Sequence, residues 1–408
     1  MNLLFDFITI RSKTGAGEYV RTVFFALVNQ IKRNSQQNIK IYALYDSSFG
    51  IAYDDLTKEA SSKWNINIEY IDLNHNNICE IVREYQINRF FIGCAQYLGT
   101  YKNIEKISCE IICIIHDMVD EEINHENLDI YTQILNPDYI LDERKASFLE
   151  HLRYQKKTRS IISLIRSIRK EKWFKPSRTQ FIKEQYLKNR HFHLITVSDF
   201  SKKSISLHCK IDEKDIKVLY SPEKIFSSKE EVSDKIKNIF KNKKIYLLLD
   251  SNRNLKNPYK AIAAFKAFSE IHTDCYLLTV NGPTPSFKNH ITLPYLSAPN
   301  FKYALENCYA LIYPSFFEGF GYPPIEAMHF KKPVLSSYTS SLPEILGSAP
   351  IYFSPLFTTS IYQALSELTD ENYDSYSQKS AIRYSQIKDK AENDLMQLLN
   401  FITEDAHG

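Results

Sequence analysis

The sequence predicts an α/β protein built from two domains with mostly parallel sheets. Short apolar runs alternate with helical patterns in both halves of the chain, the arrangement that successive βαβ units produce. Two of these runs, Ile111–Ile115 and Ile245–Leu249, are apolar throughout, as strands buried on both faces of a parallel sheet are. The length of 408 residues is enough for two domains of ordinary size.

In the first half, each predicted strand is a short run rich in Ile, Phe and Tyr, residues that favour extended backbone. The helix Glu18–Ile31 follows the first of these runs. We predict strands at Leu3–Ile10, Ile39–Tyr45, Ile66–Ile71, Arg89–Ile92 and Ile111–Ile115, with weaker candidates at Tyr139–Leu141 and Leu194–Val197. The candidate binding motifs fall at or just beyond strand ends, which is where open α/β sheets bind their ligands.

A change of composition separates the two halves. Acidic and polar residues mark the passage from Asp212 to Lys244, and we place the domain boundary near Tyr220–Glu223. Beyond it the alternation of strand and helix starts again. The predicted strands are Ile245–Leu249, Tyr276–Val280, Ala310–Tyr313, Pro333–Ser336 and Ile351–Phe353, and the predicted helices are Tyr259–Ile271 and those from Tyr373 to about Ile402.

Composition indicates a soluble globular protein, and we expect it in the cytosol. Hydrophobic residues make up 44% of the chain, and no run reaches the roughly 18–20 apolar residues that a membrane span requires. The first ten residues lack the charged start and the cleavage site of a signal peptide. The seven cysteines are an odd number without a CxxC pair. We therefore expect buried reduced thiols rather than disulfides or metal ligands.

Positive charge is concentrated in residues 144–190, which contain fifteen Lys or Arg residues against three Glu. Ile161, Ile162, Leu164, Ile165 and Ile168 are among the apolar positions of what we predict to be helices. Two interpretations stay open: a solvated basic helix pair covering the first domain, or a surface for anionic lipid headgroups or a polyphosphate-linked acceptor. Nucleic acid is disfavoured, because no known binding motif accompanies the charge.

The segment Pro314–Met328 holds the most unusual chemistry of the chain. Glu318 and Glu326 lie eight positions apart, with the loop Gly319–Gly321 between them. The glycines let the backbone approach a ligand closely or adopt positive φ. The pair Pro323–Pro324 suits the first turn of a helix, and we place Glu326 in that same turn. The free N–H groups of the loop and the helix start would suit a phosphate.

Three further motifs lie at strand ends of the first half. Gly15 and Gly17 stand between the first strand and the first helix, where a tight turn and free N–H groups favour a phosphate. His116 ends an apolar strand, and Ser198 follows the weaker strand candidate. Ordinary structural roles, a plain turn or a packed histidine, are the alternatives. We expect Asp117 to orient the histidine or to form a local turn.

Two motifs lie at strand ends of the second half. Arg253 and Lys256 follow the strand Ile245–Leu249. The donor fork of arginine matches phosphate geometry, and lysine adds a compact charge, so both residues suit a departing diphosphate. A solvated basic loop is the alternative. Gly282 lies in the turn after Tyr276–Val280, where a plain turn explains it nearly as well as a ligand does.

The segment Pro314–Met328 resembles the signature of the retaining, nucleotide-sugar-dependent glycosyltransferases with the GT-B fold (glycosyl transferases group 1, family 4-like). The shared features are Pro-Ser, then Glu-Gly-Phe-Gly, a Pro, and a second Glu-Ala eight residues after the first Glu. Pro333–Val334 and Ser340–Glu344 continue the likeness. The chain departs from the family at Lys331 and at Asp250–Ser251, where the family usually carries glycine.

The resemblance implies an α/β protein of the GT-B fold: two Rossmann-like domains whose parallel sheets face each other across a cleft. Residues 1–221 would form the acceptor-side domain, which includes the basic segment 144–190. Residues 222–390 would form the domain that binds the nucleotide sugar. Residues 391–408 would form a last helix that crosses back to the first domain.

The resemblance also implies a role for each matching residue. Glu326 accepts hydrogen bonds from the ribose hydroxyls, and Glu318 faces the donor sugar near its C3 hydroxyl. His116 hydrogen-bonds that sugar, while Lys256 and Arg253 neutralise the diphosphate. The other donor-binding residues that it implies are Gly15, Gly17, Ser198, Gly282, Gly319, Phe320 and Gly321.

The implied function is transfer of a sugar from a nucleotide sugar to a saccharide or lipid-linked saccharide of a bacterial surface polysaccharide. No carboxylate of the sequence can be assigned as nucleophile, and the resemblance implies same-face substitution through an oxocarbenium-like pair, without metal or other cofactor. Contact with an anionic membrane is a further expectation, and nucleic acid is not expected as a partner. The alternatives are another GT-B enzyme, such as a nucleotide-sugar epimerase or a phosphorylase, and a catalytically silent glycosyltransferase-like subunit.

Overall fold

The computed structural model describes residues 1–10, 14–33, 38–47, 68–95, 98, 101–123, 182–185, 191–224, 231–251, 253–283 and 286–404. Two parallel sheets with helices around them make up this part of the chain. The strand that we predicted at Tyr139–Leu141 lies outside the described residues. So does the basic segment 144–190, apart from residues 182–185.

The first sheet has seven strands, all parallel, in the order β3-β2-β1-β4-β5-β6-β7. The strands are β1 Asn2–Asp6, β2 Lys40–Tyr45, β3 Ile68–Asp72, β4 Arg89–Ile92, β5 Glu110–Ile115, β6 Phe192–Thr196 and β7 Ile216–Val218. The chain reverses its direction of winding between β1 and β4, which opens a crevice beyond their carboxyl ends.

The second sheet has six parallel strands in the order β10-β9-β8-β11-β12-β13. The strands are β8 Lys244–Leu248, β9 Cys275–Val280, β10 His290–Leu293, β11 Ala310–Tyr313, β12 Val334–Ser337 and β13 Ile351–Phe353. All five strands predicted in this half are present. Sequence reasoning missed β10, a short and half-buried strand at the edge of the sheet.

Helices cover both sheets. They are α1 Phe7–Ile10, α2 Gly15–Arg33, α3 Ile78–Glu84, α4 Val119–Glu122, α5 Asp199–Cys209, α6 Asp234–Phe240, α7 Pro258–Ile271, α8 Ala298–Asn307, α9 Tyr322–His329, α10 Leu342–Leu346, α11 Thr358–Glu367 and α12 Tyr373–Thr403. Among the described helices, none combines the length and the apolar character needed to cross a membrane.

The prediction of a strand over Leu3–Ile10 is wrong in its second half, because β1 ends at Asp6 and a helical turn follows. The carboxylate of Asp6 accepts hydrogen bonds from the backbone N–H groups of Ile8, at 2.9 Å, and Thr9, at 3.1 Å. An acidic side chain that satisfies the free donors of a turn stabilises helical backbone there. The apolar pattern of the segment could not reveal this cap.

The core is continuous across the two sheets. One cluster of buried side chains joins Phe5 and Phe24 of the first half to Leu247, Leu311 and Leu398 of the second half. Full burial of one such side chain contributes about 1.5–3 kcal/mol. None of the seven cysteines forms a disulfide in this structure, and six of them are buried, so the predicted burial is confirmed for those six.

The last helix, α12, is attached to both halves of the molecule. Tyr220 donates its backbone N–H to Asp394 at 2.8 Å. The buried guanidinium of Arg89 on β4 donates to the carbonyls of Ile402, at 3.2 Å, and Glu404, at 2.6 Å. An arginine at this position satisfies the free carbonyls at a helix C-terminus. The domain limits proposed above, at residues 221 and 390, stay predictions.

Candidate active site

The residues that carry the motifs lie beyond the carboxyl ends of four strands. His116 follows β5, the turn Asn254–Lys256 follows β8, Gly282 follows β9, and the loop 314–321 follows β11. β8 and β11 are neighbours in the second sheet. Their carboxyl ends therefore bring Lys256 and Glu318 to one edge.

Lys256 and Glu318 form an ion pair at that edge. The Lys256 ammonium also donates to the hydroxyl of Tyr313 at 2.8 Å, and the Ser315 hydroxyl donates to Glu318 Oε1 at 2.6 Å. The two side chains are only 8% and 15% exposed. Their charges are thus held in place by neutral hydroxyl groups as well as by each other.

The environment of Glu318 favours its charged form. Burial by itself would raise the pKa of this carboxyl group. The Lys256 ammonium, and hydrogen bonds from Ser315 and Tyr313, outweigh burial, and the net pKa lies below the usual value. Burial and the Glu318 charge raise the pKa of Tyr313 well above its usual value, so Tyr313 stays a neutral hydrogen-bonding group.

Backbone contacts fix the loop that carries Glu318. Its two glycines occur where a larger residue would clash with neighbouring atoms. Gly321 has φ of +87°, a left-handed conformation, and a Cβ there would also lie 2.7 Å from the side chain of Leu342. A Cβ on Gly319 would lie 2.3 Å from the carbonyl oxygen of His116. The hydroxyl of Ser340 accepts from the Glu318 backbone N–H at 2.9 Å. The glycine loop therefore contacts the end of β5 in the first half.

The helix after this loop, α9, has both predicted prolines in its first turn. The prediction that Glu326 also lies in the first turn is wrong, because α9 begins at Tyr322 and Glu326 falls in the second turn. Gly321, in its left-handed conformation, precedes the helix and sets this earlier start. Pro323 and Pro324 carry no N–H, so the backbone donors that suit an anion at this end are those of the loop and of Tyr322.

Glu326 is a buried carboxylate, only 4% exposed. The ammonium of Lys224 lies 2.6 Å from its Oε1, but neither carboxylate oxygen accepts a well-aligned hydrogen bond from the described residues. Burying a carboxylate oxygen without a well-aligned donor costs free energy unless a further donor binds it. Sequence reasoning missed Lys224, since nothing in the run Pro222–Lys224 indicates that it meets a helix a hundred residues later.

Glu326 and Lys224 line a pocket between the connecting segment 221–224, α9 and α12. The other residues around it are Ser221, Pro222, Glu223, Phe320, Tyr322, Ile325, His329, Tyr384, Ile387, Lys388 and Ala391. Phe320, which we predicted to bind the donor, packs edge-on against Tyr220 and Tyr322, with ring centroids 5.5 and 5.7 Å away. The site thus has an aromatic wall next to a buried carboxylate.

His116 is fixed by the first half of the chain. Its Nε2 donates to the carbonyl of Gly93 at 3.0 Å, and its ring lies edge-on to Tyr19 at 5.0 Å between centroids. Asp117 accepts from the Val119 N–H at 3.2 Å and so forms the local turn that we expected. Because Nε2 binds the Gly93 carbonyl, a donor sugar would have to contact the other atoms of the imidazole ring.

Asp6 supports the His116 environment and was missed by sequence reasoning. Its carboxylate accepts from the Gly93 N–H at 3.2 Å, directly beside the carbonyl that holds His116. Burial raises the pKa of Asp6, while hydrogen bonds from Thr9 and Gly93 oppose that rise. The one signal in the sequence was an acidic residue directly after an apolar run.

The glycine motif of the first half lies inside α2, which begins at Gly15 rather than at Glu18. A Cβ on Gly15 would lie 3.4 Å from the ring of Tyr322, so the starts of α2 and α9 meet across the two halves. Gly17 is buried in the same turn. Both glycines therefore belong to the region around the Glu318 loop.

The positions of three predicted site residues do not by themselves indicate ligand binding. Arg253 is exposed at the rim, on the same loop as Lys256. Ser198 is fully buried, and its hydroxyl donates to the carbonyl of Gly319 at 2.8 Å. A Cβ on Gly282 would lie 2.7 Å from Ser251, so this glycine has a packing reason. In this structure Ser198 holds the glycine loop.

The two departures from the family pattern keep the backbone that glycine would favour. Asp250 has φ of +50° and Lys331 has φ of +56°, both in the left-handed region. Glycine adopts this region at little cost, whereas other residues adopt it under strain. The loop conformations are thus retained although the glycines are not.

Comparison with known proteins agrees with this geometry. Residues 229–354 match the family described as glycosyl transferases group 1. The O-antigen chain mannosyltransferase RfbU of Salmonella typhimurium is 32% identical over 177 residues. That match covers 40% of this chain and 47% of RfbU, so the chain spans about half the length of this relative.

Solved structures resemble the whole chain. HepE of Anabaena, solved in complex with UDP and glucose, gives a TM-score of 0.61 at 13% identity, with 98% of this chain and 99% of HepE covered. A glycosyltransferase from Rickettsia africae gives 0.60 at 14% identity, with 99% of each chain covered. The predicted fold of two Rossmann-like domains is therefore confirmed. The chain has the GT-B fold, and its residues 229–354 are similar to the family of glycosyl transferases group 1.

Proposed function

We propose that the protein is a retaining glycosyltransferase that moves a sugar from a nucleotide sugar to a saccharide or lipid-linked saccharide. The observation that carries the proposal is the buried Lys256–Glu318 pair at the carboxyl edge of the second sheet, next to the glycine loop and the start of α9. Such an edge is where α/β sheets bind ligands. The activity, the substrates and the partners of the protein are all proposed.

In the proposed complex, the positive groups of the second half receive the diphosphate. Lys256 supplies a desolvated ammonium, Arg253 a donor fork at the rim, and the glycine loop its backbone N–H groups. Charge that builds on the departing phosphate is stabilised by groups that are already in place. Glu326, whose oxygens lack well-aligned donors among the described residues, takes the ribose hydroxyls.

The donor sugar then lies between the two halves. Glu318 accepts from its C3 hydroxyl, and His116 contacts the sugar from the first half. Displacement with retention proceeds on one face through an oxocarbenium-like pair, while the leaving phosphate helps to deprotonate the acceptor. In this mechanism Lys256 and Arg253 take the place of a metal ion. Full turnover in excess EDTA is therefore the expected result.

A mannosyl donor is the first to test, because RfbU is named as an O-antigen chain mannosyltransferase. By the same likeness we propose an acceptor in bacterial surface polysaccharide synthesis. The protein would then work in the cytoplasm at the inner face of the membrane. Sedimentation with anionic liposomes tests the membrane contact through residues 144–190, and failure to bind at low salt would rule it out.

The deciding experiment is a thermal-shift screen with UDP-, GDP- and dTDP-sugars, GDP-mannose among them. A bound donor raises the melting temperature in proportion to the logarithm of its excess over Kd. NMR spectroscopy of the product then reports the anomeric configuration. Inverted configuration, or turnover that EDTA abolishes and Mn²⁺ restores, would contradict the proposed mechanism.

The second candidate is a catalytically silent subunit that binds a partner or a membrane. Its support was the loss of glycine at Asp250–Ser251 and at Lys331. Because Asp250 and Lys331 keep left-handed backbone, these substitutions leave the loops in place and weaken that candidate. Slow hydrolysis of a nucleotide sugar by the purified chain would argue against it. Product mass distinguishes transfer from the isomerisation that an epimerase performs.

A further inference from the structure

The N-terminus of α5 in the first half is capped by a side chain of the second half. Glu344, on α10, accepts a hydrogen bond from the backbone N–H of Asp199 at 2.9 Å and another from Phe200 at 2.9 Å. Each N–H meets a different carboxylate oxygen, and the Tyr220 hydroxyl adds a third bond at 3.3 Å. A carboxylate at a helix N-terminus is favoured both by the free donors and by the helix dipole.

Glu344 is itself held firmly. The guanidinium of Arg383 on α12 donates to the carbonyl of Glu344 at 2.7 Å and to that of Ile345 at 2.8 Å. These bonds satisfy carbonyls of the short helix α10 and fix its orientation. The carboxylate therefore extends from a rigid support toward α5.

The same helix start connects to the proposed active site. Ser198, the residue before α5, donates its hydroxyl to the Gly319 carbonyl at 2.8 Å. Ser201, in the first turn, donates to the carbonyl of His116 at 3.1 Å. The beginning of α5 thus contacts the glycine loop and the histidine at once. The start of α5 therefore links the segments that carry Glu318 and His116.

We propose that Glu344 is a positioning residue for glycosyl transfer. Its carboxylate keeps the start of α5 against the second half, and through Ser198 and Ser201 it sets Glu318 and His116 on opposite sides of one sugar. The inference rests on the proposed function. When the halves separate, water can hydrate the carboxylate and both N–H groups, so the contact opens reversibly for substrate entry and product release.

Amide hydrogen exchange without ligand tests the contact directly. In Glu344→Ala we expect faster exchange at residues 199–200 and also at 116–119 and 319–321, which lie beyond its hydrogen bonds to α5. Glu344→Gln keeps one acceptor oxygen and should show a smaller effect. Glu306→Ala, an exposed site on α8, is the matched control and should leave these segments unchanged. Faster exchange at residues 199–200 alone would reduce Glu344 to a local cap and overturn the proposal.

Kinetics give the second test, with GDP-mannose, UDP-glucose and dTDP-glucose as donors. In Glu344→Ala we expect kcat to fall about tenfold, within the range that couplings between sites span. The Kd values for GDP and UDP should stay unchanged, because in the proposed complex Lys256, Arg253 and Glu326 hold the nucleotide. Unchanged kcat, or a loss confined to Kd, would overturn the proposal. If the wild-type protein uses none of these donors, the proposed function is in question, while the exchange experiment still decides whether the contact joins the halves.

Discussion

At the scale of single residues, the Lys256–Glu318 pair explains how two buried charges coexist in a mostly apolar setting. Each charge offsets the cost of burying the other, and the hydroxyls of Tyr313 and Ser315 satisfy further donor and acceptor positions. Removal of one partner leaves the other charged and buried. The pair should therefore be coupled in stability as well as in catalysis.

A double-mutant cycle tests this coupling. We expect Lys256→Met to lower the free energy of unfolding by about 3–5 kcal/mol, because the Glu318 carboxylate loses its cation. Lys256→Met combined with Glu318→Gln should recover a large part of that loss. Urea unfolding curves of the four proteins provide the measurement. Additive effects of the two substitutions would show that the pair does not interact.

The pH dependence of stability has a definite sign. The folded-state pKa of Glu318 is lowered from its ordinary value of 4.5, so its contribution is present above that value. It is lost as the pH falls through the folded-state pKa. The stability difference between the wild type and Glu318→Gln should thus shrink as the pH falls below 4.5. A difference that grows on acidification would contradict the assigned direction.

At the scale of elements, the sequence predicted strand positions and the glycine loop well, because both depend on neighbouring residues. The apolar runs predicted β5, β8 and β11, and the proline pair predicted a helix start at α9. Contacts between residues far apart in the sequence could not be predicted. The Lys224 partner of Glu326 and the Glu344 contact depend on side chains that meet only after folding. The Asp6 cap is local, but the apolar pattern of residues 3–10 does not reveal it. Periodicity indicates which face is buried but not which residue lies opposite.

The turn after α9 offers a test of left-handed backbone. Lys331 has φ of +56° and is exposed, so Lys331→Gly should raise the free energy of unfolding by about 1 kcal/mol. The adjacent Lys332 is the matched control, because its φ is negative. Lys332→Gly should lower stability by about 0.5–1 kcal/mol. Denaturant midpoints decide, and destabilisation by Lys331→Gly would contradict the strain argument.

At the scale of the whole molecule, α12 and the connecting segment hold two sheets in one arrangement. The apolar core continues between the halves, and Arg89 fixes the end of α12 to the first sheet. The proposed function needs both halves, because Lys256, Glu318 and Glu326 come from one and His116 from the other. Assembly of the proposed site therefore depends on both halves of the molecule.

Arg89 tests the attachment of α12. Arg89→Met removes charged hydrogen bonds to the last carbonyls of the helix and should cost about 1.5–3 kcal/mol of stability. Met396, 55% exposed on the same helix, is the control, and Met396→Ala should change stability by less than about 0.5 kcal/mol. Equal effects of the two substitutions in thermal unfolding would show that the Arg89 contacts do not hold the helix.

The most direct test of the central claim is donor turnover by the wild type and Glu318→Gln. The substitution keeps the size of the side chain and removes the charge next to the proposed reacting carbon. Release of nucleoside diphosphate from the donor that stabilises the wild type most should fall about 100-fold or more, while nucleotide affinity stays the same. Equal release by both proteins would contradict a catalytic site at Glu318.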